Sequence, residues 1–224
     1  MSNSKILSHF NNIAKDYDYY KQKNKFYYDN LKTLLRDLIP KNSNVLEFGC
    51  GTGDLIAFLN PTSGVGYDPS VEMIKIAKSK QSLPLRGKHK DIRFVTELPQ
   101  NKFDYVFMSD VIEHLDNPIK EFKNIKNILN KNGKLIITMA NPVWEAILLL
   151  GEKVGYKMPE GPHIRIKSKE LKVKIEQIGM KVIRHDFKLL MPIYIPFLTN
   201  FVNSYLERYL KRFCFIEYFA IKKV

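Results

Sequence analysis

The chain has 224 residues, enough for one α/β domain with a sizeable core, and its 45% hydrophobic and 26% charged residues are ordinary for a globular soluble protein. Two cysteines, Cys50 and Cys214, form neither the even framework of a disulfide-rich secreted domain nor a C-x-x-C metal pair. With no apolar run long enough for a bilayer and no apolar leader, a reducing cytoplasm is the expected home. The net charge of +13 is spread along the whole chain, which points to a solvated surface and away from a nucleic-acid partner; no oligomeric state is read from it.

Residues 4–39 read as helical. Ile6, Phe10, Ile13 and Tyr17 recur at three- and four-residue steps, and Leu31, Leu34, Leu35 and Leu38 continue the pattern until Pro40 stops it. The run from Val45 to Phe48 predicts a buried strand containing one acid, Glu47, followed by Gly49, Gly51 and Gly53 and a helix from Leu55 to Leu59. Gly49 and Gly51 permit positive φ and let a ligand touch backbone with no Cβ in the way, so this strand–turn–helix is a seat for a nucleotide-like ligand. Its spacing is G-x-G-x-G, whereas the dinucleotide fingerprint would place a third glycine at Asp54.

Residues 64–67 predict a second strand ending in Asp68, one βα unit beyond Gly49. A carboxylate there accepts hydrogen bonds from both hydroxyls of a ribose, the role assigned to Asp68 with Pro69 beside it; the alternative is a cap on the helix that starts near Val71. Met73 lies on that helix, and the basic loop 78–90, with His89, is read as exposed. Residues 92–95 form a third strand, 103–110 a fourth with the continuous apolar run of a central parallel strand, and 134–139 a fifth. Between the last two, Phe122, Ile125, Ile128 and Leu129 mark a helix closed by a turn at 130–133. Alternating βα units imply a doubly wound parallel sheet with helices on both faces.

Three segments together resemble one family. Glu47-x-Gly49-x-Gly51-x-Gly53, the Phe10-x-x-x-Ala14-x-x-Tyr17-Asp18 segment and Val111-Ile112-Glu113-His114 before Pro118 are similar to the class I S-adenosylmethionine-dependent methyltransferases of small-molecule and lipid type, including the ubiquinone-pathway O-methyltransferases. The resemblance covers about Phe10 to Asn141. It implies S-adenosyl-L-methionine as cofactor and a Rossmann-like doubly wound sheet of seven strands, mostly parallel with an antiparallel last strand. It also implies that Tyr17 folds over the cofactor, against the alternative that it packs on the sheet. Glu47, Gly49, Cys50, Gly51 and Gly53 would hold the methionine end, with Cys50 giving shape more than chemistry. Asp68 and Pro69 would meet the ribose, Met73 and Thr96 the adenine, and Ser109 would lie at the cofactor end of the fourth strand.

Methyl transfer to a hydroxyl or amine needs a base, and His114 and His163 are the candidates because imidazole titrates near neutral pH; His9, His89 and His185 are read as surface or structural. Asp110, Glu113 and His114 also resemble the acid-x-x-acid-His triplet that binds a divalent ion in ubiquinone-pathway O-methyltransferases, with Asp in place of the first Glu, and no metal is predicted.

One domain is expected, with a helical lid at 1–40, a cofactor half at 41–141 and a substrate half at 142–224. In the last, a helix from Val143 to Val154, a loop from Gly155 to Arg165, a helix capped by Ser168, a sixth strand at 180–190 and a seventh at 213–222 are expected. Segment 191–212, apolar on one side and basic on the other, sits either on a membrane surface or against the sheet edge. The reading is methyl transfer to a small-molecule, lipid-precursor or glycan acceptor; the alternatives are an RNA methyltransferase and a non-catalytic module with this fold at a membrane.

Overall fold

The computed structural model describes residues 4–82, 91–159, 161, 163–164 and 166–224, so His89 and most of the basic loop lie outside the described residues. Two helices come first, α1 (Ser4–Lys23) and α2 (Lys25–Leu38). The strands are β1 (Asn44–Phe48), β2 (Ser63–Tyr67), β3 (Ile92–Val95), β4 (Phe103–Ser109), β5 (Leu129–Ala140), β6 (Met180–Lys188) and β7 (Ile216–Lys223). Between them lie α3 (Asp54–Leu59), α4 (Val71–Gln81), α5 (Pro118–Ile128), α6 (Glu145–Lys153), α7 (Ser168–Gln177) and a one-turn α8 (Leu198–Phe201).

The strands form one sheet in the order β3-β2-β1-β4-β5-β7-β6. β7 runs antiparallel to both β5 and β6, and every other pairing is parallel, as the sequence predicts. Side chains alternate across the strands, and both sets are apolar because helices cover both faces. Leu46, Phe48, Val106 and Met108 pack with residues of α5 and α7, while Val45, Phe107 and Ile136 pack with α2, α3 and α4. Phe48, Phe103, Phe107, Phe122 and Phe219 are among the largest fully buried side chains, each contributing about 1.5–3 kcal/mol of burial. Among the described residues no helix is long and apolar enough to cross a membrane.

Several boundaries differ from the sequence reading for local reasons. Leu129 already has extended geometry and pairs with Phe103, so β5 starts where α5 stops and absorbs residues 130–133, with a register shift opposite Phe103 and Tyr105. Ser168 is not a cap: it lies inside the first turn of α7, and its hydroxyl donates to the buried Glu217 at 2.5 Å. The helix expected from Val143 opens as a 3₁₀ turn over Pro142–Trp144, held by the Asn141 side chain. Segment 191–212 contains α8 and a π turn over Val202–Leu206, and residues 211–213, of which 213 was expected in the seventh strand, form a 3₁₀ turn before β7.

Strand order reverses between β1 and β4, since the chain leaves β1 toward β2 and leaves β4 toward β5. Ligands of open α/β sheets bind at the carboxyl ends of such a pair. Here the ends touch: a Cβ on Gly49, whose φ is +79°, would stand 2.6 Å from the Val111 side chain.

Candidate active site

The turn after β1 is tied to β2 by backbone. The amides of Gly49 and Cys50 both donate to the Tyr67 carbonyl, at 2.8 and 2.9 Å. Asp68 completes the turn, one carboxylate oxygen accepting from the Gly51 amide at 2.8 Å and the other from the Ser70 amide at 2.9 Å. The helix-cap role falls to Ser70, whose hydroxyl accepts from the Met73 amide. Burial pushes the Asp68 carboxyl up to about 6, against the pull of the two amides and Lys21.

Glu47 is 2% exposed, and its carboxylate accepts from the Ile56 amide in α3 at 3.0 Å. Burial pushes it up to about 8, with Lys21 and the Ile56 amide opposing. The folded chain holds this proton more tightly than the unfolded chain, so the stability linked to it is present below pH 4.5 and is lost as pH rises through about 8. Glu47→Gln, which abolishes that titration, is expected to raise Tm of the ligand-free protein at pH 8 by about 3–8 °C. Thermal unfolding at pH 5 and pH 8 checks this; a lower Tm at pH 8 contradicts it.

Helix α1 lies over this turn and is pinned by polar contacts. Thr52 donates to Asp18 at 2.6 Å, Ser70 donates to Asn11 at 2.6 Å, and Lys80 bridges Asp18 and Asp54, each at 2.8 Å. Tyr17 rests on the glycine turn, its ring 3.1 Å from where a Gly51 Cβ would stand. Burial and the carboxylates of Asp68 and Asp110 raise its phenol, keeping it protonated. Lys21 sits 3.7 Å from Asp54, with its ammonium 4.8 Å from the Tyr17 ring centre and 5.4 Å from that of Tyr28. Burial lowers this ammonium, but Tyr28, Asp54, Glu47 and Asp18 outweigh burial and keep it charged.

Two cavities meet here. The smaller, about 50 Å³, is lined by Ile6, Gly49, Gly51, Asp68, Pro69, Met73 and Ser109 among others. The larger, about 420 Å³, is lined by Tyr20, Lys21, Tyr27, Tyr28, Trp144, Ile147, Leu148 and Met191 among others. Phe10, Tyr17, Asp110 and His114 belong to both and form the wall between them. Asp110 holds a left-handed backbone, φ +53°, and its carboxylate accepts from the Tyr27 hydroxyl at 2.6 Å. Burial and Asp110 hold the Tyr27 phenol well above its ordinary value, so it remains the donor. His114 is 7% exposed and meets Phe10 edge to face at 5.1 Å between ring centres.

Tyr17, Gly49, Gly51, Asp68, Pro69, Met73, Ser109 and His114 are thus brought together. Glu47, Cys50, Gly53 and Thr96 lie outside both linings. Gly53 is glycine on two counts: its backbone is left-handed, φ +80°, and a Cβ there would stand 2.5 Å from the Phe94 ring. Cys50 is buried, and burial holds its thiol well above the ordinary value. His163 stands behind His114, 6.3 Å between ring centres, with one ring nitrogen 3.0 Å from the Gly161 carbonyl and the other 3.5 Å from Glu145. His9 meets the Pro159 carbonyl and His185 the Glu217 carboxylate. No group of three metal-competent side chains occurs among the described residues. Lys21, Tyr27 and Tyr28 are the residues that sequence reasoning missed; their only signal was helical spacing on a tyrosine-rich stretch.

Fold and site together define a class I methyltransferase that uses S-adenosyl-L-methionine. Residues 18–185 match the methyltransferase domain family, and the chain belongs to it. It is 27% identical to a ubiquinone biosynthesis O-methyltransferase of Coxiella burnetii over 192 residues, covering 76% of this chain and 82% of that one. Its fold is similar to that of a SAM-dependent methyltransferase of Thermotoga maritima, with a TM-score of 0.70, 20% identity and coverage of 97% of this chain and 99% of the other. It is also similar to magnesium protoporphyrin IX methyltransferase of Synechocystis with bound SAH, with a TM-score of 0.60, 18% identity and coverage of 90% and 83%.

Proposed function

We propose that this methyltransferase acts on a hydroxyl of a small or lipid-like, largely apolar acceptor held in the larger cavity. The observation that carries the reading is the shared wall of Phe10, Tyr17, Asp110 and His114, which puts an apolar chamber directly against the glycine turn. A mostly aromatic and aliphatic lining with a few convergent polar groups is the ordinary make-up of a small-molecule site. The relative named for ubiquinone and the neighbour named for magnesium protoporphyrin IX act on acceptors of that character.

The residues suit the cofactor. Asp68 has a lone pair left on each oxygen for the ribose hydroxyls, and Met73 with Pro69 and Ile6 gives the adenine an apolar bed. Ser109 Oγ is buried with no hydrogen-bond partner among the described residues, which suits a polar group of the ligand. The charged Lys21 suits the methionine carboxylate, while Glu47, outside both linings, supports the turn through the Ile56 amide. When bound, S-adenosyl-L-methionine supplies an electrophilic methyl group on a sulfonium. The Tyr17 ring and the Asp68 and Asp110 carboxylates favour a cation at that point. His114 takes the proton from the acceptor hydroxyl, and His163 behind it fixes its position.

The smaller cavity falls short of the roughly 300 Å³ of a ligand site, so α1 must swing away to admit the cofactor. Its pins are mostly polar, and only Ile6 and Ala14 are buried, which makes it the element able to move. In this reading α1 is the moving part of the 1–40 lid, α2 being held in the core by Leu31, Leu34 and Leu35, with 41–141 the cofactor half and 142–224 the acceptor half. The test is incubation with labelled S-adenosyl-L-methionine and pooled metabolites, lipids and RNA, followed by mass spectrometry. The expected product is an O-methylated apolar compound; label found only in RNA overturns the reading.

A further inference from the structure

Two segments of the acceptor half turn apolar side chains outward. Val143, Ile147, Leu150, Val154 and Tyr156, on and beside α6, are each more than half exposed. So are Tyr194, Phe201, Tyr205, Tyr209 and Phe213, while Phe197 is 90% exposed. A soluble loop normally does the reverse. The interior of this one is polar and satisfied. Thr199, fully buried, accepts from the Ile195 amide at 2.7 Å and donates to the Ile193 carbonyl at 2.8 Å. Asn203 accepts from the Met191 amide at 2.8 Å and donates to its carbonyl at 3.1 Å. The loop is therefore built, with Phe197 at its tip on a left-handed backbone, φ +64°, a strained geometry for an aromatic residue.

Both segments rim the larger cavity, the first through Ile147 and Tyr156, the second through Met191, Pro192 and Ile193. The charges left to the second at the surface are of one sign. Arg208 and Arg212 are exposed; Lys211 is also exposed but pairs with Asp186 of β6 at 2.8 Å, and the only acid between 191 and 213, Glu207, is taken up by the Lys188 ammonium and the Leu189 amide, each at 2.8 Å. Exposed aromatics edged by arginine and lysine are the composition of a bilayer interface, where rings sit at headgroup depth and cations meet anionic lipid.

We infer that this face docks on an anionic lipid bilayer, with Phe197 and Phe201 entering the headgroup region, and that the mouth of the acceptor cavity then opens onto the membrane. The inference rests on the apolar-acceptor reading above and adds the surface from which the acceptor is drawn.

The test is co-sedimentation of the full chain with vesicles of phosphatidylcholine alone and of phosphatidylcholine mixed with phosphatidylglycerol. Binding to the mixed vesicles is expected to be about tenfold stronger or more and to weaken with salt. Phe197→Ser with Phe201→Ser should cut it about tenfold, and Arg208→Glu with Arg212→Glu should remove the preference for anionic lipid. The single tryptophan, Trp144, lines the cavity beside α6, so brominated lipid in the vesicles should quench its fluorescence. Unchanged SAH affinity shows that the variants are folded. Equal binding to both vesicles, no binding, or full binding by Phe197→Ser with Phe201→Ser overturns the inference. So does a dimer abolished by those substitutions in a protein that ignores vesicles. Vesicle binding needs no acceptor, so its failure is separable from a failure of methyl transfer.

Discussion

Asp68→Ala is expected to weaken SAH binding by about 100-fold or more, the loss of two hydrogen bonds to a charged group. The same carboxylate also orders the turn through the Gly51 and Ser70 amides, so Asp68→Asn, which keeps one acceptor oxygen, separates the two contributions and should fall between alanine and wild type. The pH dependence has a definite sign. Burial holds this carboxyl at about 6, so the ribose acceptor is ionised above that pH and protonated below it. Wild-type affinity should fall as pH drops through about 6, by up to about tenfold per unit, and the fall should vanish in Asp68→Asn. Isothermal titration with SAH between pH 5 and pH 8 measures both; wild-type affinity in Asp68→Ala contradicts the assignment.

His114→Ala is expected to lower kcat by about 100- to 10,000-fold, the ordinary worth of a general base, with SAH affinity unchanged. Loss of rate with retained cofactor binding distinguishes a base from a wall residue, because His114 also supports Phe10 across the wall. His163→Ala should slow the reaction far less, since His163 lines neither cavity and stands behind His114, 6.3 Å between ring centres. Equal losses in the two variants, or an unchanged kcat in His114→Ala, would move the base elsewhere.

The sheet and the glycine turn were legible because their causes are local. An apolar run of strand length, a turn needing positive φ at Gly49 and Gly51 and an acid one βα unit later each leave a mark on neighbouring residues. The reasons behind other residues are tertiary and leave none. Gly53 shares the positive φ of the turn, +80°, but it lines neither cavity, and the Phe94 ring from β3 fills the space a side chain there would need. Ser168 has the composition of a cap, but Glu217 on β7 claims its hydroxyl. Tyr27 and Lys21 reach the site only because α1 and α2 fold across the sheet ends, so nothing between residues 18 and 30 announces that Tyr27 will bond to Asp110. In segment 191–212 the apolar and basic sides were visible, but the inward turn of Thr199 and Asn203, which holds a compact loop, was not, because their partners Ile193, Ile195 and Met191 are set by the folded loop.

In the proposed complex the cavity between Gly49, Asp68 and His114 holds the cofactor with its reactive end against the apolar chamber. A crystal structure of the chain with SAH tests it most directly. Both ribose hydroxyls are expected within about 3 Å of the Asp68 carboxylate, with the sulfur facing the wall of Tyr17, Asp110 and His114. SAH bound with its sulfur turned away from that wall, or its ribose out of reach of Asp68, would contradict it.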